Sequence, residues 1–309
     1  VSARLRNSTP ADEPALRALW DVCFDAPHIG ALHALDPDRH RRTFVAETAG
    51  GRLDAVVVWV PRLIRDAHGT PRRVGGIGSV ATRPEARGQG LVRRLLAGAE
   101  RSMTAEGCAW SLLFTGTPGV YRGSGWQEFT TGHMEGTIRH TPASAAYRVR
   151  EATVADAGTV RALHSAYNAA RPLSSLRTDE DWAVRVPAWY GPPERALVAE
   201  APDTGAVRGW LVAGYAGECA EVREFAGDSA CLPDLLGAVA ARGLAAGHHR
   251  ARVRLPAIPE VMAALPALLA DSTAVETRTG MARPLLAGAD AVRDTVTAAG
   301  AVHWYGDSF

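Results

Sequence analysis

Chemistry is concentrated in one stretch of the chain, Ser79-Val80-Ala81-Thr82-Arg83-Pro84-Glu85-Ala86-Arg87-Gly88-Gln89-Gly90-Leu91-Val92-Arg93-Arg94-Leu95-Leu96. The residues up to Thr82 read as a strand, Gly88-Gln89-Gly90 as a turn, and the apolar spacing from Leu91 as the opening of a helix. The first turn of a helix leaves backbone N–H groups without partners and carries the positive end of the helix dipole. Small residues in front of it let a phosphate approach those amides, and Arg87 adds a fixed positive charge. The segment therefore suits the pyrophosphate of a nucleotide-bearing cofactor. Spacing excludes two common forms. A mononucleotide loop needs G-x-x-x-x-G-K-[ST], and the chain contains no lysine; a dinucleotide fingerprint needs G-x-G-x-x-G, and Gly90 is followed by Leu91, Val92 and Arg93.

The elements around this turn sharpen the reading. A helix from about Leu91 to Met103 leads to the apolar stretch Ala109 to Thr115, a Gly/Pro turn, and the segment Val120-Tyr121-Arg122-Gly123-Ser124-Gly125-Trp126. The order is strand, phosphate turn, helix, strand, and short helix bearing a tyrosine.

Both landmarks resemble the GNAT superfamily of N-acyltransferases. Arg87 to Gly90 follows its acyl-CoA signature [RQ]-x-x-G-x-[GA], and Tyr121 with Gly125-Trp126 follows its Y-x-x-x-G-[FYW] segment. Val92 stands where the signature has a small residue, as in the Eis-type (enhanced intracellular survival) acetyltransferases, which carry a larger aliphatic residue there. The resemblance implies acetyl-CoA or another acyl-CoA as co-substrate and no metal. Arg87, Gly88, Gln89, Gly90, Leu91 and Val92 would hold the pyrophosphate, and the main chain of Val80, Ala81 and Thr82 would pair with the pantetheine arm as an added strand does. Tyr121 would protonate the departing thiolate. For the base that deprotonates the attacking amine two sources stand open. One is the polar loop 25–40, with Asp25, His28, His33, Asp36, Asp38 and His40. The other, by the Eis resemblance, is the carboxylate of Phe309 at the end of His303-Trp304-Tyr305-Gly306-Asp307-Ser308-Phe309.

The chain repeats itself. Arg6-Asn7-Ser8-Thr9-Pro10-Ala11-Asp12-Glu13-Pro14-Ala15-Leu16-Arg17-Ala18-Leu19 aligns without gaps on Arg150-Glu151-Ala152-Thr153-Val154-Ala155-Asp156-Ala157-Gly158-Thr159-Val160-Arg161-Ala162-Leu163, with seven of fourteen positions identical. Each copy reads as a strand ending at a threonine N-cap with an aspartate three residues on. Beyond it, strands at 195–201, 207–215, 221–226, 249–255 and 274–285 and helices at 232–246 and 260–269 repeat the element order of the first half. The second copy has no glycine-flanked arginine at its cofactor turn, and Asp228 and Asp234 there would repel a pyrophosphate. The expected fold class is α/β (α+β), with two tandem GNAT-like domains, each a mixed, mostly antiparallel sheet flanked by helices. Residues 1–143 would form the catalytic domain and 147–309 a degenerate one, joined by the small and polar stretch 139–146.

Composition sets the outer limits. With 309 residues and 47% hydrophobic content the chain has material for two cores, and a formal charge of +1 points to neither nucleic acid nor a membrane as partner. No apolar run reaches membrane-spanning length, and a cytoplasmic protein is expected. Cys23, Cys108, Cys219 and Cys231 have neither disulfide nor zinc-site spacing. Trp59, Trp110, Phe114 and Trp126 are either core residues or the lining of a pocket for a small-molecule amine, and an oligomer is possible. The expected activity is acetyl transfer to a primary amine. Two readings stand beside it: a binding protein of the same fold without turnover, and O-acyl transfer or acyl-CoA decarboxylation.

Overall fold

The computed structural model describes residues 3–26, 28–140, 146–191 and 194–309. The expected linker falls largely on residues 141–145, outside the described residues, as does Pro27 of the polar loop.

The first half runs β1 (Arg4–Asn7), α1 (Glu13–Cys23), α2 (Ile29–Ala34), α3 (Arg39–Arg42), β2 (Thr43–Glu47), β3 (Leu53–Arg65), β4 (Pro71–Thr82), α4 (Leu91–Ala105), β5 (Trp110–Phe114), α5 (Gly119–Arg122) and β6 (Gln127–Thr137). The second half repeats it with β7 (Arg148–Glu151), α6 (Ala157–Asn168), α7 (Val186–Trp189), β8 (Arg195–Glu200), β9 (Val207–Gly214), β10 (Ala220–Gly227), α8 (Leu232–Ala245), β11 (Arg250–Val253), α9 (Pro259–Ala264), β12 (Thr273–Pro284) and α10 (Ala289–Val296). The repeated N-terminal motif has one physical basis in both copies. The Thr9 amide donates to Asp12 at 2.7 Å, and Arg6 grips the same carboxylate through two bonds of 2.7 and 2.8 Å. Thr153, Asp156 and Arg150 do the same at 2.7, 2.8 and 2.8 Å. A charge-assisted fork on a capping carboxylate fixes both the strand end and the helix start.

β3 is buried nearly throughout because both faces are covered. α1 lays Leu16, Leu19 and Trp20 on one face with Val56, Val58 and Ala81. α4 lays Leu91, Leu95, Leu96, Ala99 and Met103 on the other, against Ala55, Val57, Trp59 and Ile77. The alternation of side chains along β3 and β4 sorts the two sets.

The twelve strands of the described residues form one sheet, in the order β1-β2-β3-β4-β5-β12-β6-β11-β10-β9-β8-β7. Read from either edge the sequence is the same, with each half's last strand exchanged. β12 pairs antiparallel with β5 from Gly280↔Phe114 to Pro284↔Trp110, and β6 pairs antiparallel with β11 from Thr137↔Arg250 to Met134↔Val253. The two exchanged strands pair with each other along the pseudo-two-fold axis. The two copies thus complete one another's sheets. Among the described residues no helix is long and apolar enough to cross a membrane.

Candidate functional site

β4 pairs in parallel with β5 only at Val74, Gly75 and Gly76, and from Ile77 to Thr82 its β5-side edge is open. Opposite β3 the register jumps from Val58↔Gly78 to Val56↔Ala81, so two residues, Ser79 and Val80, face the single Val57. This β-bulge is built on Ser79 at φ 51°, a left-handed conformation that a residue with a Cβ rarely adopts. The strain is held from α1, where the Trp20 indole donates to the Ser79 carbonyl at 3.0 Å. One residue too many also resets the alternation. Gly76 and Gly78 lie on the α1 side, whereas Val80 packs with the α4 cluster and Ala81 is buried under α1.

After Thr82 the chain turns through Gly88 at φ 77° and Gly90 at φ 68°, both left-handed, and Gly90 caps α4. A Cβ on Gly88 would meet nothing within 4 Å, so the backbone angle, not crowding, selects glycine there. Arg94 donates to the Gly90 carbonyl at 3.2 Å, and the amides of Leu91, Val92 and Arg93 ahead of it have no helical acceptor. Arg87, Gly88, Gln89 and Gly90 are exposed, and Arg87 makes one long bond to the Thr82 carbonyl, 3.4 Å. The turn is an open nest of donors at a helix start.

Tyr121 on α5 is buried on the α4 side, beside Val80, Leu91 and Leu95. Burial pushes its phenol up to about 12. Arg122, next in sequence, is exposed and paired with Glu128, away from the phenol.

The opposite face holds the end of the chain. Phe309 packs with Ile64, Val74, Leu112 and Phe129, and a Cβ on Gly76 would collide with its ring. On Gly78 a Cβ would stand 2.7 Å from the carboxyl oxygen of Phe309. The carboxyl group therefore lies over Gly78, next to the bulge, with no ion-pair partner among the described residues. A cavity of about 680 Å³ between the two halves opens beside it, lined by Phe114, Phe129, His133, Arg254, His303 and Ser308 among others. Phe114, at the end of β5, stacks on His303 with ring centres 5.2 Å apart.

The other sequence candidates are placed elsewhere. Trp59, Trp110 and Trp126 are core, and Phe114 alone of the four aromatics lines the cavity. In the polar loop, His33 bonds Thr43 at 2.9 Å, His40 sits between Ser8 at 3.0 Å and Glu13 at 3.4 Å, and Asp36 and Asp38 pair with Arg42. These groups hold the corner between α1 and β2. His28 touches Trp189 of the second half edge-on. In the second half, Asp228 accepts from Ala230 and Asp234 from Ala146 and Tyr147, so both carboxylates ahead of and at the start of α8 are engaged within the protein.

Gly75, Gly76 and Gly78 belong to the site as well, although no motif marks them. A glycine inside a strand signals close approach by another group, and three within four residues is the one trace they leave in the sequence. Gly75 gives room to Met103, and the other two give room to Phe309.

Comparison with known proteins bears on the fold. Residues 4–129 match the family model of an acetyltransferase (GNAT) domain. A probable N-acyltransferase of unknown function from Enterococcus faecalis V583 is similar in structure, with a TM-score of 0.73 and 14% identity over 92% of this chain and 73% of that one. Eis1 from Mycobacterium abscessus has a TM-score of 0.61 and 12% identity over 92% and 74%. N-myristoyltransferase from Saccharomyces cerevisiae, solved with bound myristoyl-CoA, has a TM-score of 0.60 and 12% identity over 98% and 85%. At these identities the likeness is one of fold. No curated protein matches the chain in sequence. The family match is confined to residues 4–129, which read as an acetyltransferase (GNAT) domain, and over the rest of the chain the likeness to these structures is one of fold.

Proposed function

We propose that the protein transfers an acetyl group from acetyl-CoA to a primary amine of a small molecule, by direct attack of the amine on the thioester while both are bound. The opening between β4 and β5 is the observation that carries this reading: an unpaired strand edge, a bulge and a nest of amides follow one another along 77–92. Pantetheine would add to the open edge at Val80, Ala81 and Thr82, and the turn from Arg87 to Val92 would take the pyrophosphate.

The two faces divide the chemistry. On the α4 side Tyr121 is neutral at any working pH, so its phenol always has a proton for the sulfur as the C–S bond breaks. On the α1 side, in the 309-residue chain, the Phe309 carboxylate lies where an ammonium entering from the cavity would arrive and could take its proton. The N–H groups at the bulge would face the carbonyl oxygen that becomes an oxyanion. A cavity of this volume suits a small organic acceptor. Residues 1–143 and 147–309 are our division of the chain into a catalytic and a supporting domain.

Calorimetric titration with acetyl-CoA tests the cofactor half of the reading, with Arg87→Glu as control. One site per chain, lost in the variant, is expected; equal binding by both forms would overturn the assignment of the turn. A screen of small primary amines for CoA thiol release tests the other half. Binding without thiol release would leave a ligand-binding protein, and thiol release without an N-acetylated product would leave O-transfer or decarboxylation.

A further inference from the structure

The second half contains the counterpart of the β4 opening, and a buried network of charged side chains is built at its bulge. β10 pairs with β11 only from Ala220 to Val222, as β4 does with β5 over three residues, and β10 too is bulged: Val222↔Ala213 is followed by Glu224↔Val212, with Arg223 extra. Trp20 and His164 are 144 residues apart, the spacing of the aligned repeats, and each reaches the bulge of its own half. Trp20 bonds Ser79, and His164 Nε2 lies 3.3 Å from Glu224.

Where the first half offers an open strand edge, the second half has a buried acid bound by an arginine and a tyrosine. Glu224 is 0% exposed and accepts from Arg177 at 2.8 Å and from the Tyr190 hydroxyl. Arg177, equally buried, donates through its Nε to Asp307 at 2.7 Å. Gly306 donates to the Tyr190 oxygen at 2.9 Å, and Arg223, the bulge residue, lies over the Tyr305 ring at 4.1 Å. Trp304 is fully buried and donates to Asn168 at 3.0 Å. Residues 304–307 are thus docked in the second half, and Phe309, two residues on, lies against Gly76 and Gly78 of the first.

We propose that the second half's counterpart of the opening has become a clamp for the segment 304–307, in which Arg177, Glu224 and Asp307 are positioning residues that, in the 309-residue chain, deliver the Phe309 carboxylate to β4. The proposal rests on the proposed role of that carboxylate only for its effect on turnover; the clamp itself is tested independently. A buried arginine that bridges two carboxylates through charge-assisted hydrogen bonds is narrowly oriented, and a two-residue extension from it has a short reach.

Carboxypeptidase A, which removes C-terminal aromatic residues, reads the clamp directly. In the 309-residue chain, Phe309 should be released slowly, and in Asp307→Asn at least tenfold faster, with the circular dichroism spectrum and the acetyl-CoA dissociation constant unchanged within about twofold. Gly306→Ala is the second variant: its Cβ would stand 2.5 Å from the Tyr190 ring and displace the tail without removing a charge. Unchanged release of Phe309 in both variants, each folded, would overturn the clamp whatever their activity. Faster release with undiminished thiol release from acetyl-CoA in the presence of 2-phenylethylamine, or of whichever amine the wild-type chain turns over, would sustain the clamp and overturn the carboxylate as base. Faster release with turnover lowered to the level of a chain lacking Ser308 and Phe309 supports both.

Discussion

Trp20 of α1 and Ser79 of β4 are joined by a hydrogen bond of 3.0 Å between the indole N–H and the main-chain carbonyl of the bulged residue. Ser79 holds a left-handed φ of 51°, and the bond draws its carbonyl toward α1. Because the peptide unit is planar, the Val80 N–H is turned the opposite way.

Trp20→Phe keeps most of the apolar contact and removes the donor. The expected loss is about 1 kcal/mol of stability, read as a melting-temperature drop of roughly 2 °C, because the Ser79 carbonyl loses its partner. Turnover should fall about tenfold through misplacement of the bulge, with acetyl-CoA affinity little changed. Equal losses in affinity and turnover would mean that the bond serves folding alone.

Gly76→Ala places a methyl group where the Phe309 ring lies. Turnover should drop by about tenfold or more while cofactor binding persists. In a chain lacking Ser308 and Phe309 the same substitution should be close to silent, since non-additivity follows when two changes act on one contact. Additive losses would place the effect in the sheet instead.

Tyr121→Phe removes the proposed proton donor and little volume. A drop of about a hundredfold in kcat with an unchanged acetyl-CoA dissociation constant is expected. With the phenol pushed up to about 12 by burial, the donor stays protonated across the working range. The wild-type rate should therefore show no alkaline fall from this group below about pH 11; a fall near pH 9 that vanishes in the variant would contradict this environment.

His33 makes stability pH-dependent. Burial, followed by the nearby charge of Arg39, lowers its pKa to about 4 from an ordinary 6.5. The unfolded chain then binds the proton more readily than the folded one between those values, so stability rises with pH across that window. The contribution is complete above pH 6.5 and is lost as pH falls through about 4, up to roughly 3 kcal/mol. Urea titrations of the wild type and His33→Gln at pH 7 and pH 5 measure it, and the variant should show the smaller difference.

Much of this architecture is legible in the order of the residues. The 144-residue repeat, the strands of the second half and the glycine turn ahead of α4 follow from local pattern, because caps, turns and alternation are short-range. The exchange of β6 and β12 is not legible: Gln127–Thr137 has the same alternation whichever strand it pairs with, and strand partners are a long-range choice. Nor is the division of the site between faces, since the bulge at Ser79 shifts the alternation by one and only the register shows it. The tail lies between the two cases. Its aromatic residues announce anchoring, yet Arg177 and Glu224, which bond to each other and to Asp307 and Tyr190 around it, are far away in sequence and no local pattern marks them.

The exchanged strands also constrain how the protein is made. When β5 leaves the ribosome its outer edge has no neighbour, and its partner, β12, ends at Pro284, so some 170 residues must follow before that edge is sealed. At synthesis rates of about 5–20 residues per second the wait is roughly ten to thirty seconds. For that interval the nascent first half displays an apolar, hydrogen-bond-hungry border of the kind that recruits chaperones or like chains. The second copy supplies the strand that ends the exposure.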